Sequence, residues 1–337
     1  MPLSYKLTDI IHLLKLTGRY DILPDGITMD NACNCIAFTA DCQGDIIIDL
    51  DINITTKGDK NLGGRYFTVY IDGVKQSERA VAMGVPGECV SSTLTVAAGL
   101  EKGVHTIEVY RQNEPLRGSM LLKSITITGE FLEKPKDRNL YIEFVGDSIT
   151  AGYGNLRLGK ILRPGHPDNS DATSTYAFRI AKEFDTDISV LCRSGLAFSS
   201  ETIPFEKLYT DTCFMTRPGK KYTVGRHPDF VIINLGTNDA AHADYNTLTH
   251  NVKKAISTVR EVYPQSVIIW LYGLMGDKIS DYIKQGLEEC GGEDNKIYYC
   301  GLETDYSGGG GHPSLAGNKR AAEIVTAFIK NKGLIKC

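Results

Sequence analysis

The hydrophobic pattern of the chain changes its period at residue 139, and this change constrains the fold more than any other feature. From residue 140 onward, short apolar runs alternate with stretches in which apolar residues recur at helical spacing. The strand-like runs are 140–145, 188–191, 230–235, 267–272 and 296–300. The helical stretches lie near 174–184, 245–262, 278–290 and 314–331. This alternation predicts a parallel sheet that is covered by helices on both faces.

Residues 26–131 carry a different pattern, with short segments rich in Thr, Val, Ile and Tyr and no helical stretch between them. Turn signals such as Asp72-Gly73 and Lys102-Gly103 separate these segments. The segments are 37–42, 45–55, 65–76, 91–100, 103–112 and 121–131. Six to eight short strands in about 110 residues predict a β-sandwich of the jelly-roll type.

The two patterns divide the chain into domains. We expect a β-sandwich at 1–132, a linker at 133–139 and an α/β domain at 140–337. The linker is charged and contains Pro135, which is typical of a connection between domains. A length of 337 residues is enough for two domains that each have a core of their own.

Charge and hydropathy exclude two classes of partner. The chain has 41 acidic and 37 basic residues and a net charge of −4, which creates no field that attracts nucleic acid or an anionic membrane. No apolar run approaches the roughly 20 residues that a membrane span needs. The nine cysteines are scattered without zinc-site spacing, so we expect no metal and mostly free thiols. The first residues lack the apolar core of a signal peptide, which predicts a cytoplasmic protein, or a secreted one whose leader has been removed.

Three polar motifs follow predicted strands, at the edge where parallel sheets bind their ligands. Ser148 lies in "GDSIT", Asn238 in "LGTND", and His312 in "GGGGHPS" before the last helix. A serine hydroxyl becomes a nucleophile when a base such as histidine takes its proton. The tetrahedral intermediate then needs donors for its oxyanion, and the N–H groups of Ser148 and Gly195 with the Asn238 amide are suitable. The sequence therefore predicts a hydrolytic site at this edge.

The motifs resemble those of the SGNH, or GDSL, hydrolase superfamily. "GDSITAGYG" is similar to its nucleophile block, "LGTND" to its Asn block and "HPSLAGN" to its His block, while "SGLAF" at 194–198 stands where the glycine oxyanion donor is expected. The resemblance covers residues 139–333. A β-sandwich ahead of such a domain, with "VYIDG" and "GLEKGVHTIEVYR", is similar to carbohydrate esterase family 2.

The resemblance implies a jelly roll followed by a flavodoxin-like, three-layer α/β/α domain. It also implies a serine esterase that removes O-acetyl groups from polysaccharides or oligosaccharides such as xylan and mannan, through an acetyl-Ser148 intermediate. An acetylated saccharide is then the expected substrate, with no metal and no organic cofactor. The sugar, the hydroxyl position and the oligomeric state are not predicted.

The chain departs from the superfamily pattern beside His312. Many members place an aspartate three residues before the histidine, where this chain has Gly309. Three readings stay open. In the first, a backbone carbonyl holds His312 Nδ1 and gives a Ser–His dyad, a variant that is also associated with family 2 and that we favour. In the second, Asp305 folds back as a third member of the site. In the third, the site is catalytically impaired.

Two alternative functions accompany the main one. A lipid esterase or thioesterase would share the three motifs, but the chain has no long apolar lid. A carbohydrate-binding protein with an inactive hydrolase domain is supported by the missing aspartate alone. We expect Asp147 and Asp239 to act as structural hydrogen-bond acceptors and Trp270 to pack in a strand. The remaining residues considered are His166, His227 and His242, to which we assign no role, and Tyr153, Phe198 and Tyr306, as a sugar platform or core residues.

Overall fold

The structure, a computed structural model, describes residues 1–54, 64–161, 163–164 and 166–335. It divides the chain into two units. The first comprises residues 1–137 and 165–168, and the second residues 138–164 and 169–337.

Antiparallel strands build the first unit. In the long strand β5, buried Ile48, Leu50 and Ile52 alternate with Asp49 and Asp51, so that one face of the strand enters the core. The described strands are β1 Leu3–Lys6, β2 Lys15–Thr17, β3 Asp21–Leu23, β4 Gly26–Thr28, β5 Cys35–Asn53, β6 Gly64–Ile71, β7 Val74–Lys75, β8 Ala80–Met83, β9 Cys89–Arg111 and β10 Ser119–Phe131. They pair in the order β3-β4-β10-β5-β9-β6-β7, with β1 on β10, β2 on β5 and β8 on β6.

Two strands are much longer than the sequence predicts. The expected strands 37–42 and 45–55 form the single strand β5, and those at 91–100 and 103–112 form β9. The predicted turn at Lys102-Gly103 is wrong, because Gly103 pairs with Cys42 inside the β5–β9 ladder. Register shifts on both sides of Gly44, whose φ is +77°, mark an irregular stretch of this ladder. Residue 55, the last of the predicted segment, lies outside the described residues.

The turn between β6 and β7 is confirmed at Asp72-Gly73. Both residues have positive φ, +52° and +78°, as a two-residue hairpin of type I′ requires. A long strand with bulges can contribute to both layers of a sandwich. The strands enclose a core of buried aliphatic and aromatic side chains, among them Phe38, Ile48 and Ile107, and the predicted β-sandwich is confirmed.

A parallel sheet forms the centre of the second unit. Its strands are β11 Leu140–Gly146, β12 Thr186–Cys192, β15 Phe230–Asn234, β16 Val267–Tyr272 and β17 Ile297–Gly301, in the order β12-β11-β15-β16-β17. The helices are α1 Tyr176–Glu183, α2 Phe205–Thr210, α3 Asp239–His242, α4 Leu248–Val262, α5 Ser280–Glu288 and α6 Leu315–Asn331. A hairpin of β13 Asp211–Cys213 and β14 Arg217–Lys221 is separate from this sheet. The strand order is that of flavodoxin, so the predicted fold is confirmed.

Near-complete burial of the central strands explains their continuous apolar sequences. Helix α1 packs against α6, and α4 packs against α5. No helix in the described ranges is both long and apolar enough to span a membrane. Strands β12, β11 and β15 are neighbours, and Gly146 is in register with Cys192 and Asn234. The segments that follow these three strands therefore meet at one edge of the sheet.

Candidate active site

Ser148 lies in the turn that follows β11. The turn is held by hydrogen bonds from Ile149 N to Asp147 Oδ1, at 2.9 Å, and from Tyr153 N to Ser148 O, also at 2.9 Å. A side chain at Gly146 would overlap Thr150, so only glycine fits at the end of this strand. Ser148 is 7% exposed. The tight turn thus fixes the hydroxyl group at the carboxyl edge of the sheet.

His312 brings its imidazole to this hydroxyl. The distance from Ser148 Oγ to His312 Nε2 is 2.9 Å, and His312 Nδ1 lies 3.3 Å from the carbonyl oxygen of Gly310. If Nδ1 carries the proton, it donates to that carbonyl and Nε2 accepts from the serine hydroxyl. This is the hydrogen-bond pattern of a nucleophile with its general base.

The surroundings of His312 favour its neutral form. Burial lowers the pKa of His312, and the Gly310 carbonyl opposes this effect only in part. The ring of Tyr153 lies against the imidazole, with 4.7 Å between the ring centroids. The imidazole is thus available as a base at neutral pH.

The glycines before His312 are fixed by backbone contacts with the segment that follows Ser148. Gly309 N donates to Gly154 O at 2.9 Å, and Gly310 N donates to Gly159 O at 2.8 Å. A Cβ on Gly309 would lie 2.8 Å from Ile161 Cγ1 and 2.9 Å from Gly154 O. The position three residues before the histidine therefore has no room for an aspartate side chain. Gly310 has a φ of +64°, a conformation that other residues adopt only with strain.

Asp305 is not brought into contact with His312. Its Oδ1 accepts from Ser307 N at 2.9 Å and from Ser307 Oγ, and its Oδ2 accepts from Ser314 N at 3.1 Å and Ser314 Oγ at 2.7 Å. Burial acts to raise the pKa of Asp305, but these hydrogen bonds outweigh it and hold the pKa at about 2. Ser314 is the N-cap of α6. Asp305 therefore anchors the start of α6, and no carboxylate in the described residues bonds to His312 Nδ1.

Asn238 and Gly195 lie on the segments that follow β15 and β12. Asn238 Nδ2 donates to Leu196 O at 2.8 Å and lies 3.3 Å from Asp147 Oδ2. Gly195 is exposed and has a φ of +79°. The amide thus has one short and one long partner, and a bound carbonyl oxygen could replace the longer one.

Asp239 joins these two segments. Its fully buried carboxylate accepts from Phe198 N at 3.2 Å, from Ser199 N at 2.9 Å and from Ser199 Oγ at 2.6 Å. Burial raises the pKa of Asp239, while the bonds from Ser199 and Phe198 oppose the shift. Both Asp147 and Asp239 are thus acceptors within the turns. The sequence did not indicate which segments Asp239 connects.

The profile of the GDSL-like Lipase/Acylhydrolase family matches residues 144–320, more than half of the chain. The chain belongs to this family. The matched region begins in the second half of β11, contains the turn with Ser148 and extends beyond His312 into α6.

Two curated relatives of this GDSL-family chain are carbohydrate-active proteins by name. The cellulase/esterase CelE of Acetivibrio thermocellus is 29% identical over 290 residues, which cover 81% of this chain and 35% of CelE. An acetylxylan esterase/glucomannan deacetylase of Cellvibrio japonicus is 26% identical over 215 residues, which cover 58% of each chain. The chain thus spans less than two thirds of the length of either relative.

The solved structure of the acetyl xylan esterase Est2A from Butyrivibrio proteoclasticus matches the whole GDSL-family chain. The TM-score is 0.85, the sequence identity 19%, and the match covers 100% of both chains. This likeness extends the agreement in fold to the β-sandwich.

The structure also places other residues that the sequence singled out. Trp270 is fully buried, donates to Leu235 O at 3.0 Å and packs edge-on against Phe198, so its predicted place in the core of this GDSL-family domain is confirmed. Tyr306 is 55% exposed. The imidazole of His166 is bonded to Asp168, that of His227 packs on Tyr263, and the side chain of His242 lies outside the described set.

Proposed function

We propose that this chain is a serine esterase that removes O-acetyl groups from polysaccharides or oligosaccharides such as xylan and mannan. The observation that carries the proposal is the 2.9 Å contact between Ser148 Oγ and His312 Nε2 at the carboxyl edge of the sheet. The names of the two curated relatives support an acetylated carbohydrate as the substrate.

Acylation begins when Ser148 Oγ attacks the acetyl carbonyl carbon and His312 Nε2 takes the hydroxyl proton. The carbonyl π electrons move to oxygen, and this oxyanion accepts hydrogen bonds from the N–H groups of Ser148 and Gly195 and from Asn238 Nδ2. The intermediate then collapses. The bond to the sugar oxygen breaks, His312 returns its proton to that oxygen, and an acetyl-Ser148 ester remains.

Deacylation repeats these steps with water in place of the serine. His312 takes a proton from water, the hydroxide oxygen adds to the acetyl carbon, and the bond to Ser148 Oγ breaks as His312 protonates it. Acetate and the original serine result. The Gly310 carbonyl accepts from Nδ1–H and so keeps the proton of the neutral imidazole on Nδ1. In the proposed dyad, the dipole of this carbonyl also stabilises the imidazolium that forms during the reaction.

The test is the release of acetate from acetylated xylo-oligosaccharides, followed by mass spectrometry. Ser148→Ala and His312→Ala should each lose at least about 10³-fold in kcat, because nucleophile and base act as a unit. Their unfolding curves should match that of the wild type. A folded Ser148→Ala variant that keeps a tenth of wild-type activity would refute the role of the serine, and a preference for long-chain p-nitrophenyl esters over acetate esters would assign a lipid esterase instead.

A further inference from the structure

A groove continues from the candidate oxyanion donors across the surface of the second unit. Gly195 and Asn238 form part of its wall, and its volume is about 830 Å³. Small-molecule sites of about 300–1,000 Å³ are common in proteins, so the groove has room for a ligand that extends beyond an acetyl group. The rest of the wall comes from residues 197–206, residues 243–247 and helix α4.

The wall of the groove offers hydrogen-bonding groups. Thr247, Asn251 and Lys254 recur at helical spacing, so the start of α4 turns one polar face to the groove. Asn251 Nδ2 donates to Thr247 Oγ1 at 3.2 Å, which fixes the amide within this face. The aromatic residues of the wall, Phe198 and Phe205, are only 5% exposed each, so neither ring offers an open face for stacking. A ligand of this groove is therefore held mainly by hydrogen bonds.

The charge of the wall is negative. Glu201, Glu206 and Asp244 are exposed carboxylates, Lys254 is the ammonium group, and His250 is an exposed imidazole that is counted here as neutral. Three negative charges against one positive charge repel an anion and leave a neutral polyol unaffected.

We infer that this groove binds the neutral part of a saccharide chain next to the acetylated sugar and discriminates against chains that carry uronic acids. The inference rests on the proposed function, according to which the acetylated sugar of a saccharide chain binds beside Gly195 and Asn238. A uronate about 8 Å from a net charge of about −2 should bind about fivefold more weakly than a neutral sugar at low ionic strength. About 0.5 M salt should remove most of this difference, because it shortens the Debye length to about 4 Å.

The test compares the binding of two probes by calorimetric or NMR titration. The probes are unacetylated xylohexaose and the same hexaose with one glucuronic acid branch, so binding is measured without esterase turnover. The variant Glu201→Gln/Glu206→Gln/Asp244→Asn keeps Lys254 and so leaves a net charge of about +1. It should bind the uronate-bearing probe at least as tightly as the neutral one, and Asn keeps the N-terminal capping role of residue 244. Lys254→Gln should widen the difference between the probes.

A matched control removes the same number of carboxylates elsewhere. Glu261, Asp281 and Glu323 are exposed and lie outside the groove, so the variant Glu261→Gln/Asp281→Asn/Glu323→Gln should keep the wild-type preference. This control variant should also keep the wild-type turnover of p-nitrophenyl acetate, because none of its three positions lines the groove.

Equal binding of both probes by the wild type, a preference that survives in the groove variant, or binding of neither probe would overturn the inference. The proposed function fails in a different way. If the neutral probe is preferred but no acetate is released from any acetylated saccharide, the inference about the groove is supported and the proposed esterase activity is refuted.

Discussion

Replacement of Asp305 by asparagine tests whether the carboxylate nearest to His312 in sequence acts on catalysis or on the fold. Its two oxygens accept four hydrogen bonds, two from Ser307 and two from Ser314. An amide keeps an acceptor at one end only. The NH₂ group at the other end faces two donors, which leaves buried polar groups without partners.

The magnitude follows from the pKa of Asp305, which is about 2 in the folded protein against an ordinary value of 3.8. This depression corresponds to up to about 2 kcal/mol of folding free energy at pH 7. Because the folded-state pKa is the lower one, the contribution is complete above about pH 5 and is lost progressively as the pH falls through 2. The free energy of unfolding of Asp305→Asn should therefore be lower than that of the wild type by up to about 2 kcal/mol at neutral pH, and the difference should shrink on acidification.

The effect on kcat separates the two roles of Asp305. The carboxylate does not contact His312, so we expect kcat to stay within about tenfold of the wild type, whereas neutralising a triad acid costs about 10⁴-fold. Urea unfolding at pH 7 and pH 3 measures stability, and acetate release under folding conditions measures kcat. The control is Asp281→Asn, whose side chain is 97% exposed and should change neither quantity. A folded Asp305→Asn variant with a 10³-fold lower kcat, or one of undiminished stability, would refute the reasoning.

Three further outcomes are expected. Asn238→Ala should lower kcat by about 10²- to 10³-fold with little change in KM, because an oxyanion donor acts mainly in the transition state; a raised KM at constant kcat would make it a binding residue. The acidic limb of kcat/KM should have its midpoint below pH 6.5, because burial lowers the pKa of His312 and the neutral imidazole is the active base; a midpoint above 6.5 contradicts this. Gly309→Ala should lower kcat at least about tenfold, since its Cβ meets Ile161. The control is Gly311→Ala, whose Cβ has no atom within 4 Å. It should lower the free energy of unfolding by only the roughly 1 kcal/mol that a left-handed residue costs. Equal effects of the two substitutions on kcat would contradict this prediction.

The second unit could be predicted well from the sequence because its strands are buried on both faces. Such strands appear as continuous apolar runs, and the polar motif after each run marks the carboxyl edge. The sandwich was harder to divide into strands. The dipeptide Lys102-Gly103 has the residue types of a turn, yet Gly103 pairs with Cys42 and continues the β5–β9 ladder. Local sequence does not show this pairing, because the two residues are some 60 positions apart.

The polar residues of the site could be named from the sequence, but their supporting contacts could not. Gly309 and Gly154 meet through backbone atoms, and backbone contacts leave no side-chain pattern to detect. The acceptor role of Asp239 was expected, whereas its bonds to Ser199 depend on the adjacency of β12, β11 and β15. The role of Asp305 stayed open because its carboxylate could bond either to nearby donors or to His312, and sequence spacing alone does not decide between these partners. In the structure it accepts from Ser307 and Ser314.

The close packing of Gly309 against Ile161 and Gly154 has an evolutionary consequence. A single codon change that introduces aspartate at position 309 would bring its side chain against Ile161 and Gly154, so the first step from the proposed dyad to a triad should be deleterious. The acid becomes useful only after the segment that follows the nucleophile has been remodelled. Substitutions in the two regions should thus be epistatic, so that a three-residue arrangement at this site requires paired substitutions or exchange of the whole loop.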